Sequence, residues 1–318
     1  MTRSITLLSL ILSLHMNAQT PKKDTTYWRK TGFLGLNASE TSLSNWQGGG
    51  QDNMSINSIF NFEGIYQKGK YEWTNKADAQ FGLLRSGLGA ANPFRKNTDQ
   101  IFVLSKFNIN GFNKHWFYVT QADYRTQFAP GYNYVNNVKD GKAVSDMNSP
   151  GYIQLAIGLD YKPTTYFSVT FAPAAGKITV VNRQYLADNG AYGVEAAVRD
   201  NAGNIITPGK RIRYEAGGRV IVKFKKDLMK NVNLDTYLDL FSNYAHNPGN
   251  IDVVFNTLLT LKVNKYISAS VIVQMLYDDD VIVKHKWRAD LPFDPAHDIN
   301  GPRLQVLSTI GVGFGYKF

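Results

Sequence analysis

Leu304 to Phe318 reads LQVLSTIGVGFGYKF. Every second residue back from the end gives Phe318, Tyr316, Phe314, Val312, Ile310, Ser308, Val306 and Leu304, all apolar except Ser308. The intervening set, Lys317, Gly315, Gly313, Gly311, Thr309, Leu307 and Gln305, is small or polar apart from Leu307. Such alternation predicts a strand with one greasy and one wet face. Glycines on the wet face leave room for side chains arriving from other strands. An edge strand on a soluble sandwich carries the same pattern, so the rest of the chain has to discriminate.

The closing Phe314-x-Tyr316-x-Phe318 resembles the C-terminal insertion signal of bacterial outer-membrane β-barrels, whose last strand needs a lipid face. The whole-chain numbers allow that reading. Of 318 residues, 43% are hydrophobic, yet mean hydropathy is below zero. Beyond the first twenty residues, no run approaches the roughly 18 apolar residues of a spanning helix. Strands of a membrane barrel are only half apolar, so a barrel survives where a helical bundle does not. Cysteine is absent, in keeping with passage through an oxidising compartment. The net charge of +10 is scattered along strands with no basic helix or nucleic-acid motif, which argues against a nucleic-acid partner. Met1 to Gln19 has Arg3, an apolar core from Ile5 to Leu14 and a small-residue exit at Asn17-Ala18. These are the marks of a secretory signal peptide over residues 1–18. Residues 19–29 are then expected as a periplasmic lead-in and residues 30–318 as the barrel.

Period-two segments recur along the chain at about 30–38, 53–66, 71–84, 100–112, 115–128, 152–161, 165–173, 211–225, 231–244, 250–263, 266–277 and 304–318. They amount to about twelve strands. The connections between them alternate long and short, the longest being expected over Ala174 to Lys210 with a little structure of its own around Lys177 to Tyr185. With both termini periplasmic, the long connections fall outside and the tight turns inside, as in an antiparallel up-and-down membrane barrel. A soluble sandwich has no reason to alternate this way. Aromatic residues agree. Tyr66, Tyr71, Trp73, Phe112, Trp116, Tyr161, Phe167, Phe224, Tyr266 and Phe318 fall at one set of strand ends, and Tyr124, Tyr214, Tyr244 and Tyr277 towards the other. Two girdles are expected at two lipid–water interfaces. The expectation is an all-β, single-domain barrel in a bacterial outer membrane, with lipid, lipopolysaccharide and the barrel-assembly machinery as its partners.

The block LGLNASETSLSNWQGGGQDNMSINSIFNFEGIY (Leu34 to Tyr66) carries Leu43-Ser44-Asn45-Trp46, the glycines Gly48-Gly49-Gly50 and a polar lead into the second strand. It resembles a Bacteroidetes family catalogued only as a domain of unknown function (domain of unknown function 3078), as does FAPAAGKITVV, Phe171 to Val181. The resemblance implies a cell-envelope barrel with no assigned activity, and supplies no catalytic residues.

Candidate chemistry is sparse. A triad needs nucleophile, base and orienter in contact. No serine stands two residues after His115, His246, His285 or His297, so the His-x-Ser arrangement of an outer-membrane phospholipase is missing. His297-Asp298 has the look of an omptin-like pair, but adjacent loop residues commonly mean nothing. No catalytic residue and no cofactor is assigned, and a hydrolase stays a remote alternative. Asp278-Asp279-Asp280 offers hard oxygen ligands for Ca²⁺ or Mg²⁺ without the spacing of an EF-hand. The bland reading is a solvated acidic loop.

The lumen face carries the sharper question. Residues 211–225 present Arg211, Arg213, Glu215, Arg219, Lys223 and Lys225 on one face, and the next strand offers Asp235 and Asp239. Folding the hairpin is expected to bring Arg219 to Asp239 and Lys223 to Asp235. Either these charges select anions in a narrow porin-like channel, since rings of Arg and Lys favour negative solutes, or they salt-bridge and fill the interior of a non-conducting, accessory barrel. Whether the lumen is open decides between the two.

Overall fold

The computed structural model describes residues 27–41, 53–87, 93–135, 138–264, 266–285 and 299–317. Twelve long strands close into one antiparallel barrel. They are β1 (Trp28–Thr41), β2 (Asn53–Lys68), β3 (Tyr71–Ser86), β4 (Arg95–Asn110), β5 (Trp116–Thr126) and β6 (Gly151–Thr164), followed by β7 (Phe167–Val180), β8 (Ile212–Met229), β9 (Val232–Asn243), β10 (Ile251–Lys262), β11 (Ile267–Tyr277) and β12 (Gln305–Lys317). Each pairs with its neighbours in sequence, and β12 returns to β1 through Phe33↔Lys317 to Asn37↔Gly313. Among the described residues no helix is long and apolar enough to cross a membrane; the strands, at 11 to 18 residues, are long enough.

Connections alternate as the sequence implied. Two residues link β2 to β3, β6 to β7 and β8 to β9, whereas residues 127–150, 181–211 and 278–304 form long connections at the opposite end. The residues up to 26 lie outside the described set, so the signal peptide is not described. Trp28 and Arg29 pair with Tyr66 and Ile65, so they belong to β1 and not to a lead-in. The long connection expected from Ala174 starts later, because Ala174 to Val180 continues β7 and pairs with β6 and β8. Its apolar residues run small (Ala174, Ala175, Gly176), which hid the period. The first two of these long connections carry structure of their own. Residues 131–145 fold as a hairpin, and 184–188 as a one-turn helix, α1.

The two faces of the wall separate cleanly. Leu34, Leu36, Val103, Leu155, Ile157, Phe171, Ile310, Val312 and Phe314 point outwards and are exposed, Ile310 to 79%. Isolated aliphatic residues on a soluble surface are ordinary; a continuous apolar wall is the signature of a lipid face. At the short-turn end a belt of rings borders it. Trp28 lies 5.4 Å from Tyr66 and 5.9 Å from Trp73, Tyr71 stacks on Phe107 at 5.9 Å, and Trp116 sits 5.5 Å from Phe112 and 4.8 Å from Tyr161. Tyr214 and Tyr244 stand exposed near the other end. Phe314 and Tyr316 of the insertion signal face outwards, and Phe318 is outside the described residues.

The inner glycines of β12 do what their spacing suggested. A β-carbon on Gly313 would lie 2.1 Å from Asn37 Oδ1 and 2.4 Å from the carbonyl oxygen of Leu36. The side chain of Asn37 occupies that space, and the carbonyl belongs to the closing ladder. Gly313→Ala is therefore expected to cost about 1–3 kcal/mol by overpacking and to shrink the folded, heat-modifiable band on unboiled gels. Gly249→Ala, with nothing within 4 Å of its new methyl, should leave that band unchanged.

Candidate functional site

Twelve strands about 4.8 Å apart and tilted by about 40° would, in a circular barrel, hold opposite walls roughly 24 Å apart. Side chains from nearly opposite strands nevertheless meet. Gln274 of β11 donates to Gln100 of β4 at 2.8 Å, although the two strands are five positions apart around the wall. Two glutamines joined by one hydrogen bond span only about 13 Å between backbones. Phe102 of β4 and Tyr237 of β9, also five strands apart, have ring centroids 6.3 Å apart. The barrel is flattened, with β4 pressed towards β9 and β11, and the lumen is divided at mid-height.

Arg219 forms the centre of the filled half. Its side chain is wholly buried. Nε and Nη2 donate to the two carboxylate oxygens of Asp239 at 2.8 and 2.7 Å, while Nη1 and Nη2 reach those of Asp123 at 2.6 and 3.2 Å. Nη2 also meets the Tyr237 hydroxyl at 3.2 Å. The planar fork of a guanidinium is suited to such bidentate contacts. Leu104, Val119, Ala156, Ala172, Ile221 and Phe241 are buried on the same inner faces, so this half of the lumen is a packed core with ion pairs set into it. Towards the short-turn end, Lys106 Nζ binds Asp160 at 2.7 Å and Thr170 at 3.0 Å, and Lys162 binds Glu72 at 2.5 Å.

At the long-loop end Lys177 holds Asp252 at 2.6 Å, Asp278 at 2.9 Å and Glu215 at 3.6 Å. Arg213 pairs with Asp280, lies 3.3 Å from Glu215 and donates to the carbonyl of Gly193 at 3.0 Å. These contacts tie the connections 181–211 and 278–304 to the rim. The first has a small core of Val181, Leu186, Ala187 and Val194. Tyr185 and Tyr192 fasten it to the 131–145 hairpin through the carbonyls of Ala143 and Val144, at 2.7 and 2.6 Å. Asp188 closes its base, accepting from Gln184 Nε2 at 2.7 Å and from the Gly209 amide at 2.8 Å. Those two donors hold the Asp188 carboxyl below its ordinary 3.8.

The charge ladder is thus partly as the sequence implied. Arg213, Glu215, Arg219, Lys223, Asp235 and Asp239 face inwards, and Arg219 meets Asp239. Lys223 does not meet Asp235. The register sets Lys223 opposite Tyr237 and Lys225 opposite Asp235, and Lys225 reaches Asp235 at 3.3 Å. The turn lies at Lys230 and Asn231, further along than a fold-back about residue 229 would put it, and this moves the partner of Lys223 by two residues. Lys223 Nζ lies over the Tyr237 ring at 5.7 Å, and among the described residues it has no carboxylate within 4 Å. Arg211 precedes β8 and is exposed, outside the lumen. The acidic run also separates. Asp280 goes to Arg213, while Asp278 and Asp279 cluster with Asp252, their carboxylate oxygens within 4.8 Å of one another. The Lys177 ammonium sits against two of that cluster's three members. Lys177 itself was not singled out from the sequence, which put it in a connection.

Residues 38–132 match the model of a family described as a protein of unknown function (DUF3078), the family that the N-terminal block resembles; Phe171 to Val181 lies beyond that match. No curated protein matches the chain. Among solved structures, the COG4313 outer membrane channel from Pseudomonas putida F1 is similar at 11% identity and a TM-score of 0.38, covering 94% of this chain and 100% of that one. The translocator domain of the autotransporter NalP from Neisseria meningitidis aligns at 10% identity and 0.34, over 93% and 90% of the two chains. Salmonella typhi OmpF, in a complex with daunomycin, aligns at 10% and 0.28, over 92% and 97%.

Removing the Arg219 charge leaves two buried carboxylates facing each other. Arg219→Met should destabilise the barrel by about 3–5 kcal/mol, read as a lower urea midpoint, with much of the loss recovered when Asp123→Asn and Asp239→Asn are added. The 181–211 connection should respond to acid. A depressed carboxyl contributes stability that is complete above its ordinary value and is lost as pH falls through its folded value. Amide protection factors over 184–209 are therefore expected to fall below about pH 4, and to be low at all pH values in Asp188→Ala.

Proposed function

We propose that this chain is an outer-membrane β-barrel, with both termini periplasmic and the long connections outside, that does not conduct ions at rest and acts through its outer connections and the membrane around it. The apolar outer wall bordered by rings supports membrane insertion. Lipid and lipopolysaccharide are then its surroundings, and the barrel-assembly machinery its route into the membrane. We assign it no enzymatic role.

The observation that carries the closed reading is the bridging of the lumen by Gln100–Gln274, Phe102–Tyr237 and the Asp123–Arg219–Asp239 cluster. Arg213 and Arg219, two of the basic groups of an anion-selecting eyelet, are engaged by carboxylates, so most of the positive potential such an eyelet needs is cancelled. An anion-preferring channel keeps one observation in its favour, the inward Lys223 without a carboxylate within 4 Å among the described residues. Planar-bilayer recording of the refolded mature protein separates the two. A correctly folded barrel that gives no unitary steps is the expected result. Steady steps with anion preference, lost on Lys223→Ala, would restore the channel reading.

A further inference from the structure

The net charge of +10 is scattered along the sequence but not in the fold. Four of the five short links carry exposed cations at or beside the turn. These are Lys68 and Lys70 between β2 and β3, Lys114 between β4 and β5, Lys226 and Lys230 between β8 and β9, and Lys262 between β10 and β11. Among the described residues none of these six ammonium groups forms an ion pair; the pairs near them use Lys162 and Lys225 instead. Asp227 is the one exposed carboxylate at that end among the described residues, and Asn233 donates to it at 2.9 Å. The long-loop end is balanced by comparison. There Arg183 is answered by Asp146, Lys210 by Glu195 and Arg213 by Asp280.

The unanswered cations stand at a defined depth. Lys68 Nζ lies over the Tyr27 ring at 4.9 Å, Lys70 Nζ over Tyr71 at 5.3 Å and Lys226 Nζ over Tyr166 at 4.3 Å. Those rings belong to the aromatic belt, since Tyr27 is 5.9 Å from Tyr66, Tyr71 is 5.9 Å from Phe107 and Tyr166 is 5.8 Å from Phe224. Belt rings mark the level of lipid headgroups. A lysine whose stem follows such a ring puts its ammonium where the lipid phosphates are. The spread of the cations also selects the partner. A folded protein docks on one contiguous patch, whereas links around most of the circumference share a single neighbour, the leaflet that surrounds them.

We propose that this rim binds the anionic phospholipid headgroups of the leaflet at the short-turn end, with Lys68, Lys70 and Lys226 donating to lipid phosphates from above their rings. The inference rests on the membrane-embedded reading and adds which lipids gather at which end of the barrel. Unpaired lysines at a lipid surface attract negative headgroups over about one Debye length, so the enrichment is screened by salt.

Tryptophan fluorescence reads the enrichment directly. Trp28, Trp73 and Trp116 stand in the belt at the short-turn end. Trp46 and Trp287 lie outside the described residues, and Trp46→Phe with Trp287→Phe removes their signal throughout. In vesicles of phosphatidylcholine with a minority of phosphatidylglycerol, acyl-chain bromine is placed on one lipid or the other, and quenching gives their relative association with the barrel. Phosphatidylglycerol is expected to associate about threefold more strongly, falling to parity in about 1 M salt, where the screening length is about 3 Å. Lys68→Gln with Lys70→Gln and Lys226→Gln should reduce the preference by about half or more. Removing as many exposed charges at the long-loop end, with Lys139→Gln, Lys142→Gln and Arg199→Gln, should leave it unchanged. Equal association of the two lipids, a preference that survives the rim substitutions, or one lost equally in the long-loop variant would each overturn the proposal. Quenching by neither brominated lipid would overturn the membrane-embedded reading and the lipid rim with it.

Discussion

A chain that crosses a membrane on strands has to satisfy its backbone hydrogen bonds within its own ladder, since hydrocarbon offers none. Closure follows from that constraint, and with it the alternation of every strand. Each residue faces either outwards or into the lumen, and the choice is settled by parity along the strand. In β12 the constraint is visible at its tightest. The outward positions carry Ile310, Val312, Phe314 and Tyr316, and the inward ones carry glycines because the Asn37 and Phe33 side chains of β1 come within 2.1 and 2.5 Å of where their β-carbons would be. Larger residues there would force the first and last strands apart at the one place where they pair.

Closure fixes the circumference but not the shape of the cross-section. Here the shape is set by what fills it. Charged groups on inner faces gain little from water in a narrow, partly dry space, and each one left alone would be costly. The guanidinium of Arg219 resolves this by reaching β5 and β9 from β8, three strands in one direction and one in the other. Lys177 does the same at the long-loop rim, reaching β10 and the connection after β11. Such contacts draw the walls together, and the flattening that brings Phe102 to Tyr237 follows from the same pull.

The expected behaviour of Arg219→Met marks where sequence reading stops. Strand number, the alternation of turn lengths, the outward aromatic belt and the inward parity of Arg213, Arg219 and Asp239 were all legible, because each depends on local period or on a hairpin partner a few residues away. Asp123 as the second anchor of Arg219 was not, since it is 96 residues distant and three strands around the wall. Nor was the pairing of Lys225 with Asp235, because the turn at Lys230 and Asn231 sets the register two residues from the expected one, and register decides which side chains face each other. Lys177 escaped notice for a third reason. Its neighbours Ala174, Ala175 and Gly176 are too small to display a greasy face, so the strand that carries it read as a connection.

The two constraints act against each other where β12 closes on β1. A flattened barrel has high curvature at its two narrow edges and low curvature along its faces, and a ladder is hardest to maintain where curvature is greatest. The cross-lumen contacts join β4 to β9 and β11, which makes the β12–β1–β2 stretch one of the two edges. That is where pairing falls to five positions and where the inward residues of β12 are glycines. The interior charge pairs and the short closing ladder are then one arrangement, in which the contacts that fill the lumen also set the curvature at which β1 meets β12.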